Sequence, residues 1–297
     1  MIIKYILLLI ALTGSTLAQE VIHSSVSAYV ESKTYTGSKQ KEDGIVYGIG
    51  ADIHYGNAEY KLTYEEGGAN TKGPTYSKFG NLENQKLFFR FAYKFDKHFK
   101  INLNAISILK DNIAPTDGGS IGGGGITYTF DKKLSCNVTG YFADYKYFDV
   151  LQTDIRIDYK TKIDRVKVKF SSVTKYIDVQ DGNTSDPSNR DSMYASNAKS
   201  RYLTTAIEIH SHYNKYHLGG AAYFGKRAFA IMQDGFKVQH HAMEFDRTYA
   251  IGAGKTIGDF IVRAQYIYQR ATELPTLPTP NENVKVSTFR LITNYKF

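Results

Sequence analysis

The feature that most constrains this chain is a two-residue rhythm that runs along most of its length. Ile45, Tyr47, Ile49, Ala51, Ile53 and Tyr55 alternate with Val46, Gly48, Gly50, Asp52, His54 and Gly56. Leu87, Phe89, Phe91, Tyr93 and Phe95 alternate with Phe88, Arg90, Ala92 and Lys94, and Phe289, Leu291, Thr293, Tyr295 and Phe297 close the chain in the same way. Successive side chains of a strand point to opposite faces, so each segment has one apolar face and one mixed face. The repeat returns through Leu134–Phe142, Leu151–Tyr159, Val166–Tyr176, Leu203–Ile209, Tyr216–Phe224, Tyr249–Ala253 and Phe260–Tyr268, with a weaker start at Val26, Ala28 and Val30. An all-β antiparallel architecture follows. No stretch beyond the first residues approaches the roughly 20 apolar residues of a spanning helix.

Composition narrows the class. Tyr 24 and Phe 17 in 297 residues, with only 6 Pro, are too aromatic for a disordered chain. Lys+Arg 37 against Asp+Glu 29 leaves +8, an excess without any nucleic-acid-binding signature, so no nucleic-acid partner is expected. One cysteine, Cys136, excludes a disulfide framework and cysteine-cluster metal sites, and its parity puts it on the apolar face. Residues 1–18 read as a secretory signal peptide: Lys4, the apolar run Tyr5–Leu12, then Thr16-Leu17-Ala18 at the cleavage point. The remaining domain is then residues 19–297.

Short and long connections alternate. Tight turns are expected at Gly56-Asn57, Asp96–His98, Asp131–Lys133, Thr161–Asp164, Asn214-Lys215 and Thr256–Asp259. Longer loops are expected at Gly37–Gly44, Glu66–Lys86, Lys110–Ser120, Lys146–Val150, Asp178–Arg201, Gly225–Glu244 and Arg270–Val284. A barrel of about fourteen strands, with turns at one end and loops at the other, satisfies this asymmetry; a soluble sandwich has no reason to sort its connections. Tyr55, Tyr60, Phe95, Phe99, Phe130, Tyr159, Tyr213, Tyr216, Phe260 and Phe297 flank the short turns, where an aromatic girdle belongs.

The last strand, Arg290-Leu291-Ile292-Thr293-Asn294-Tyr295-Lys296-Phe297, resembles the terminal strand of Gram-negative outer-membrane β-barrels. The resemblance implies that Tyr295 and Phe297 form an assembly signal read by the barrel-insertion machinery. It also implies an outer-membrane location, with lipid and lipopolysaccharide around the wall. The strand count is similar to that of monomeric OmpG-type porins, though trimer and monomer both fit.

Parity assigns the lumen. Arg90, Lys94, Lys100, Arg156, Lys160, Arg165, Lys167, Lys169, Arg263 and Arg290 are expected to point inward, opposed by Asp52, Glu59, Glu65, Asp154, Asp158 and Glu208. Charged walls set ion preference, here toward anions, unless the cations pair with the carboxylates and neutralise the field. A lumen of this width is too broad for side chains alone to fill, and water is expected to occupy it. Glu208, His210 and His212 share a face, and a tight hairpin puts His217 opposite His212. Those three imidazoles suit a metal, a proton switch, or simply a wet rim. The loop Gly225–Glu244 holds Phe229, Ile231, Met232, Phe236, His240 and His241, apolar enough to fold into the mouth as a gate; a surface loop is the alternative. Gly122–Gly125 lacks the Lys-Ser/Thr partner of a phosphate cradle and reads as a strand relieved of crowding.

The function these readings imply is passive diffusion of small hydrophilic solutes through an outer-membrane porin-like channel, with no cofactor. A hydrolase barrel and a loop-mediated adhesin or structural barrel are the competing classes. For the hydrolase, parity already separates Ser211 from His210 and His212, and only Asp246 with His241 offers an acid/base pair.

Overall fold

The computed structural model describes residues 21–72, 81–112, 115–146, 148–181, 198–239, 243–274 and 281–297. Sixteen strands occur among them. β1 is Val21–Thr36, β2 Lys41–Tyr55, β3 Ala58–Thr71, β4 Leu82–Lys94, β5 Phe99–Asp111, β6 Ser120–Thr129, β7 Leu134–Asp144 and β8 Phe148–Ile163. β9 is Val166–Asp181, β10 Arg201–Tyr213, β11 Tyr216–Arg227, β12 Ile231–Met232, β13 Lys237–Val238, β14 Met243–Ile257, β15 Phe260–Glu273 and β16 Asn281–Lys296. Fourteen of them form one closed antiparallel up-and-down barrel; β12 and β13 make a separate two-stranded ribbon. Each wall strand pairs with its neighbours in sequence order, and β1 closes on β16, from Ser25 with Lys296 to Thr36 with Lys285. The closure extends to Phe297, whose N–H donates to the Ser24 carbonyl at 3.1 Å. No wall strand is left with an unpaired edge.

Local chemistry fixes the short turns. Two-residue turns begin with a left-handed residue in each case: Gly56 (φ 54°), Asp164 (φ 51°), Asn214 (φ 52°) and Gly258 (φ 59°). Gly, Asn and Asp are the residues that enter this region most cheaply. The two three-residue turns use a side chain instead. The Asp96 carboxylate accepts from the N–H groups of His98 (2.6 Å) and Phe99 (2.8 Å), and Asp131 does the same for Lys133 (2.7 Å) and Leu134 (2.8 Å). Those N–H donors hold both carboxyls below their ordinary range, so the caps stay charged, and are lost only in acid.

The outer face carries the apolar half of the alternation. Ile251 (68% exposed), Leu203 (63%) and Ile207 (61%) stand on a surface that no monomeric soluble protein presents as a continuous band. Aromatics crowd the short-turn rim: Tyr93–Phe95 at 5.0 Å, Phe95–Phe99 at 5.6 Å, Tyr128–Phe130 at 5.0 Å and Phe260–Tyr295 at 4.8 Å between ring centroids.

The strands run further than alternation suggests. β8 continues to Ile163, so the turn is Asp164-Arg165 and Arg165 sits exposed on it instead of on the lumen wall. At the other end β3 reaches Thr71, β9 reaches Asp181 and β15 reaches Glu273, inside the segments expected as loops. Above the apolar band the outer face meets water while Ala69, Val179 and Ala271 on the inner face pack into the filled lumen, so the apolar-out code fades while backbone pairing goes on.

Wall glycines make room for rings. Gly123 has its inward side filled by Tyr141; a Cβ there would stand 2.4 Å from the Tyr141 ring, whereas one on Gly122 would meet nothing within 4 Å. Gly123→Ala is expected to cost about 1–3 kcal/mol through overpacking. Gly122→Ala should stay near neutral, the two compared by urea unfolding in one detergent micelle.

Candidate functional site in the barrel lumen

The lumen is not empty. Between β11 and β14 the chain turns inward, and residues 228–231 become fully buried inside the barrel. The bend is built from left-handed residues: Gly225, Phe229, Gln233, Asp234 and Gly235 all have positive φ. Phe229, an aromatic at φ 55°, is held there by Phe148 at 4.7 Å between centroids. The ribbon β12–β13, joined through Gln233–Gly235, crosses the interior.

Polar contacts moor the ribbon to opposite walls. On β8, the Gln152 amide accepts from the Ile231 N–H (2.8 Å) and donates to the Ile231 carbonyl (2.7 Å), which extends a ladder to a side chain. Lys175 on β9 donates to the same carbonyl at 3.1 Å while pairing with Asp154. Across the barrel, Lys237 binds Glu31 of β1 (3.1 Å) and Glu65 of β3 (3.0 Å). Those carboxylates are 1% and 2% exposed and are also met by Lys33, Lys86, Arg290 and the Tyr29 hydroxyl. Arg156 pairs with Asp158 (2.9 Å) and Glu208 (2.8 Å), and reaches Asp234 of the ribbon at 3.6 Å.

Apolar packing fills the space on the long-loop side. Phe88, Ile106, Ile108, Ile121, Tyr141, Val150, Ile177 and Val179 point inward and pack with Phe229 and Ile231 in one cluster. A second cluster joins Tyr35, Leu82, Met243, Phe245, Val284 and Val286. The infolding of Gly225–Glu244 goes deeper than a gate at the mouth: its apolar residues become part of a packed interior. Alternation along β4 and β5 shows the outer face only; it does not announce that Phe88 and Ile106, on the polar parity, face a buried ribbon. The signal was available as a match between these apolar inward residues and the apolar loop.

A cavity of about 930 Å³ opens beside the ribbon, reaching from Lys160, Lys167, His212 and Arg263 near the short turns to Tyr35, Met243 and Phe245 on the long-loop side. Its room comes from β11 and β14, which present Gly219, Ala221, Ala250, Gly252 and Gly254 where other strands present long side chains. Of the residues assigned inward by parity, Arg156, Lys160, Lys167, Lys169, Glu208, Arg263 and Arg290 line it. Arg90, Asp154 and Asp158 face in without lining it, and Lys94 stands exposed at the short-turn rim opposite Lys100. Asp52 pairs with His54 at 3.2 Å, and Glu59 with Lys100 at 2.6 Å. Lys33, Lys61, Lys86, Lys162, Lys175, Arg227 and Lys237 are among the inward cations absent from the parity assignment.

His212 does lie opposite His217, with Nδ1 to Nδ1 at 3.1 Å. His217 Nε2 meets the Thr256 hydroxyl at 2.9 Å. His210 stays apart, with Glu208 at 4.0 Å as its charged neighbour. The structure does not bring His210, His212 and His217 together: among the described residues no group of three or more His, Cys, Asp or Glu side chains converges to hold an ion. Asp246 is clamped by Arg270 through Nε at 2.7–2.9 Å, and its acid/base partner His241 lies outside the described residues. His240, His241 and the signal peptide at residues 1–18 lie outside the described residues. Phe229 and Met232 are buried in the ribbon, and Tyr295 and Phe297 stand on the outer face beside each other at 6.0 Å.

No family model matches the sequence, and no curated protein matches it. Solved structures do match the fold. A bacterial polysaccharide outer membrane secretin aligns with a TM-score of 0.54 at 7% identity, over 92% of this chain and 98% of its own. The toluene transporter TbuX of Ralstonia pickettii aligns with a TM-score of 0.50 at 11% identity, over 92% and 88%. The NanC porin aligns at 0.47 and 11%, over 91% and 100%. At these identities the likeness is one of fold: this chain has the architecture of outer-membrane β-barrels, with no single type, OmpG-type included, set apart from the rest.

Proposed function

We propose that the protein is an outer-membrane porin-like channel for small hydrophilic solutes, narrowed by its internal ribbon and mildly selective for anions. A closed wall satisfies every backbone group without water, which suits it to hydrocarbon. The exposed apolar band and the aromatic rim fit the lipid and headgroup layers. The observation that carries the reading is the charged cavity of about 930 Å³ that runs beside the ribbon from the short-turn side to the long-loop side, inside a wall whose outside is apolar. In this reading residues 1–18 direct export, and the short turns and both barrel termini face the periplasm. Tyr295 and Phe297 engage the assembly machinery, and the long loops meet lipopolysaccharide.

The ribbon sets the passage. The loop Gly225–Glu244, with Phe229 and Met232 buried and His240 and His241 at its end, acts as the constriction and gate. In planar bilayers the native protein is expected to give small stepwise conductance. Replacing residues 229–238 by a short Gly-Ser linker should raise it several-fold; equal conductance would place the constriction elsewhere. Circular dichroism confirms that the variant keeps its strands.

Selectivity should follow the wall charge. Reversal potentials in a salt gradient are expected to favour anions. Lys160→Glu, Lys167→Glu and Lys169→Glu together should move them toward cations, and an unchanged potential would remove these lysines from the solute path.

A further inference from the structure

Register sets cations and imidazoles of the short-turn side of the lumen into two rows. The first runs across neighbouring strands as Lys162, Lys167, His212 and His217, then past Gly254 to Arg263. The second lies two residues further from the rim and runs Lys160, Lys169, His210. Like charges set directly opposite each other destabilise a sheet, and here Lys160 faces Lys169 and Lys162 faces Lys167. Among the described residues Lys160, Lys162, Lys167 and Arg263 have no carboxylate partner, and Lys169 reaches Asp158 only at 3.9 Å. Of the acids lining the cavity, Glu208 is held by Arg156 and the Tyr223 hydroxyl, Glu31 by Lys237 and Arg290, and Asp234 lies 3.6 Å from Arg156. Repulsion of this kind in a wall that leaves an open recess beside it is relieved by a ligand of opposite sign.

We propose that these rows form a saturable binding site for dianionic oxyanion solutes, and that the His212–His217 pair takes up a proton when the site fills. The inference rests on the reading of the cavity as part of a solute path and names the solute class. Neighbouring strands stand ~4.8 Å apart, and successive inward residues ~6.7 Å apart along a strand. Two carboxylate, phosphate or sulfonate groups separated by about 5–7 Å therefore meet a cation each. A single anionic group meets one.

The proton follows from the imidazole contact. At 3.1 Å between Nδ1 atoms, one ring donates and the other must accept, so at least one ring is neutral. Charging both would oppose two N–H groups, in the company of Lys167 and Lys169 on β9, Lys160 and Lys162 on β8, Arg263 on β15 and Lys296 on β16. Glu208 and Asp158 offset them and are both engaged by Arg156, Asp234 of the ribbon faces the same cavity, and on the β14 side His217 meets the neutral Thr256 hydroxyl. A bound dianion supplies the missing acceptor and the missing negative charge together. Binding and protonation thus favour each other, by the same factor in either direction. The effect falls within the range of about pH 5 to 8 in which imidazoles exchange protons.

The test uses 1,3-propanedisulfonate and methanesulfonate, whose charge does not change with pH, titrated calorimetrically into the detergent-solubilised full barrel. Expected are saturable binding of the disulfonate at least ten-fold tighter than the monosulfonate, and about ten-fold weaker binding at pH 8 than at pH 6. A binding heat that varies with buffer ionisation enthalpy near pH 6.5 reports the proton. His212→Gln with His217→Gln should abolish the pH dependence and the buffer effect while keeping disulfonate binding. Lys160→Gln with Lys167→Gln should weaken binding at both pH values; these side chains are exposed and without carboxylate partners, so the fold is spared. Equal binding of the two sulfonates, or binding indifferent to the lysines, overturns the site. A pH dependence that survives the histidine variant overturns the proton linkage. Conductance without disulfonate binding removes this inference alone, and binding without conductance removes the channel instead.

Discussion

Closure of the wall is the constraint on which everything else depends. Backbone N–H and C=O groups lose several kcal/mol each if left unpaired in hydrocarbon. Here the ladder between β1 and β16 returns the last strand to the first, and Phe297 takes its final hydrogen bond from Ser24. Once the ring is complete, parity has only two meanings, outside and inside. Every outward position is free to be apolar, and every inward one must be reconciled with whatever the barrel contains.

What it contains is a compromise between packing and charge. On the long-loop side the inward residues Phe88, Ile106, Phe148 and Ile177 treat the interior as a protein core. In the middle, Glu31 and Glu65 are removed from water but surrounded by Lys33, Lys86, Lys237 and Arg290. Removing one partner of such a set leaves an uncompensated buried charge, which typically costs about 3–5 kcal/mol. Toward the short turns the cations outnumber their partners. The lumen is thus sealed against β4–β7, where the apolar cluster packs on the ribbon, and open along β10–β16, where the cavity runs.

The wall was legible in the sequence because period-two alternation is a local signal, repeated in Ile45–Tyr55 and Leu87–Phe95 and ended by turns such as Asn214-Lys215. The pairing of His212 with His217 was legible for the same reason, since a two-residue hairpin fixes register. Arg165 was misplaced because alternation does not say where a strand stops. The ribbon was only half legible: an apolar loop at Phe229–Phe236 stood out, but its docking on Gln152, Lys175, Glu31 and Glu65 joins residues far apart in the chain, and no local pattern encodes such contacts. The neutralisation of Arg156 and Glu208 was hidden likewise, since it depends on which neighbours the register supplies.

The ribbon's two moorings have a mechanical consequence. In the circular strand order β8 stands seven places from β1, on the far side of the ring. Ile231 is fastened to β8 and Lys237 to β1, so the ribbon spans a full diameter. A fourteen-strand cylinder without contents flattens easily into an ellipse. This one carries its own crossbar, and its roundness is a property of a loop as much as of the wall.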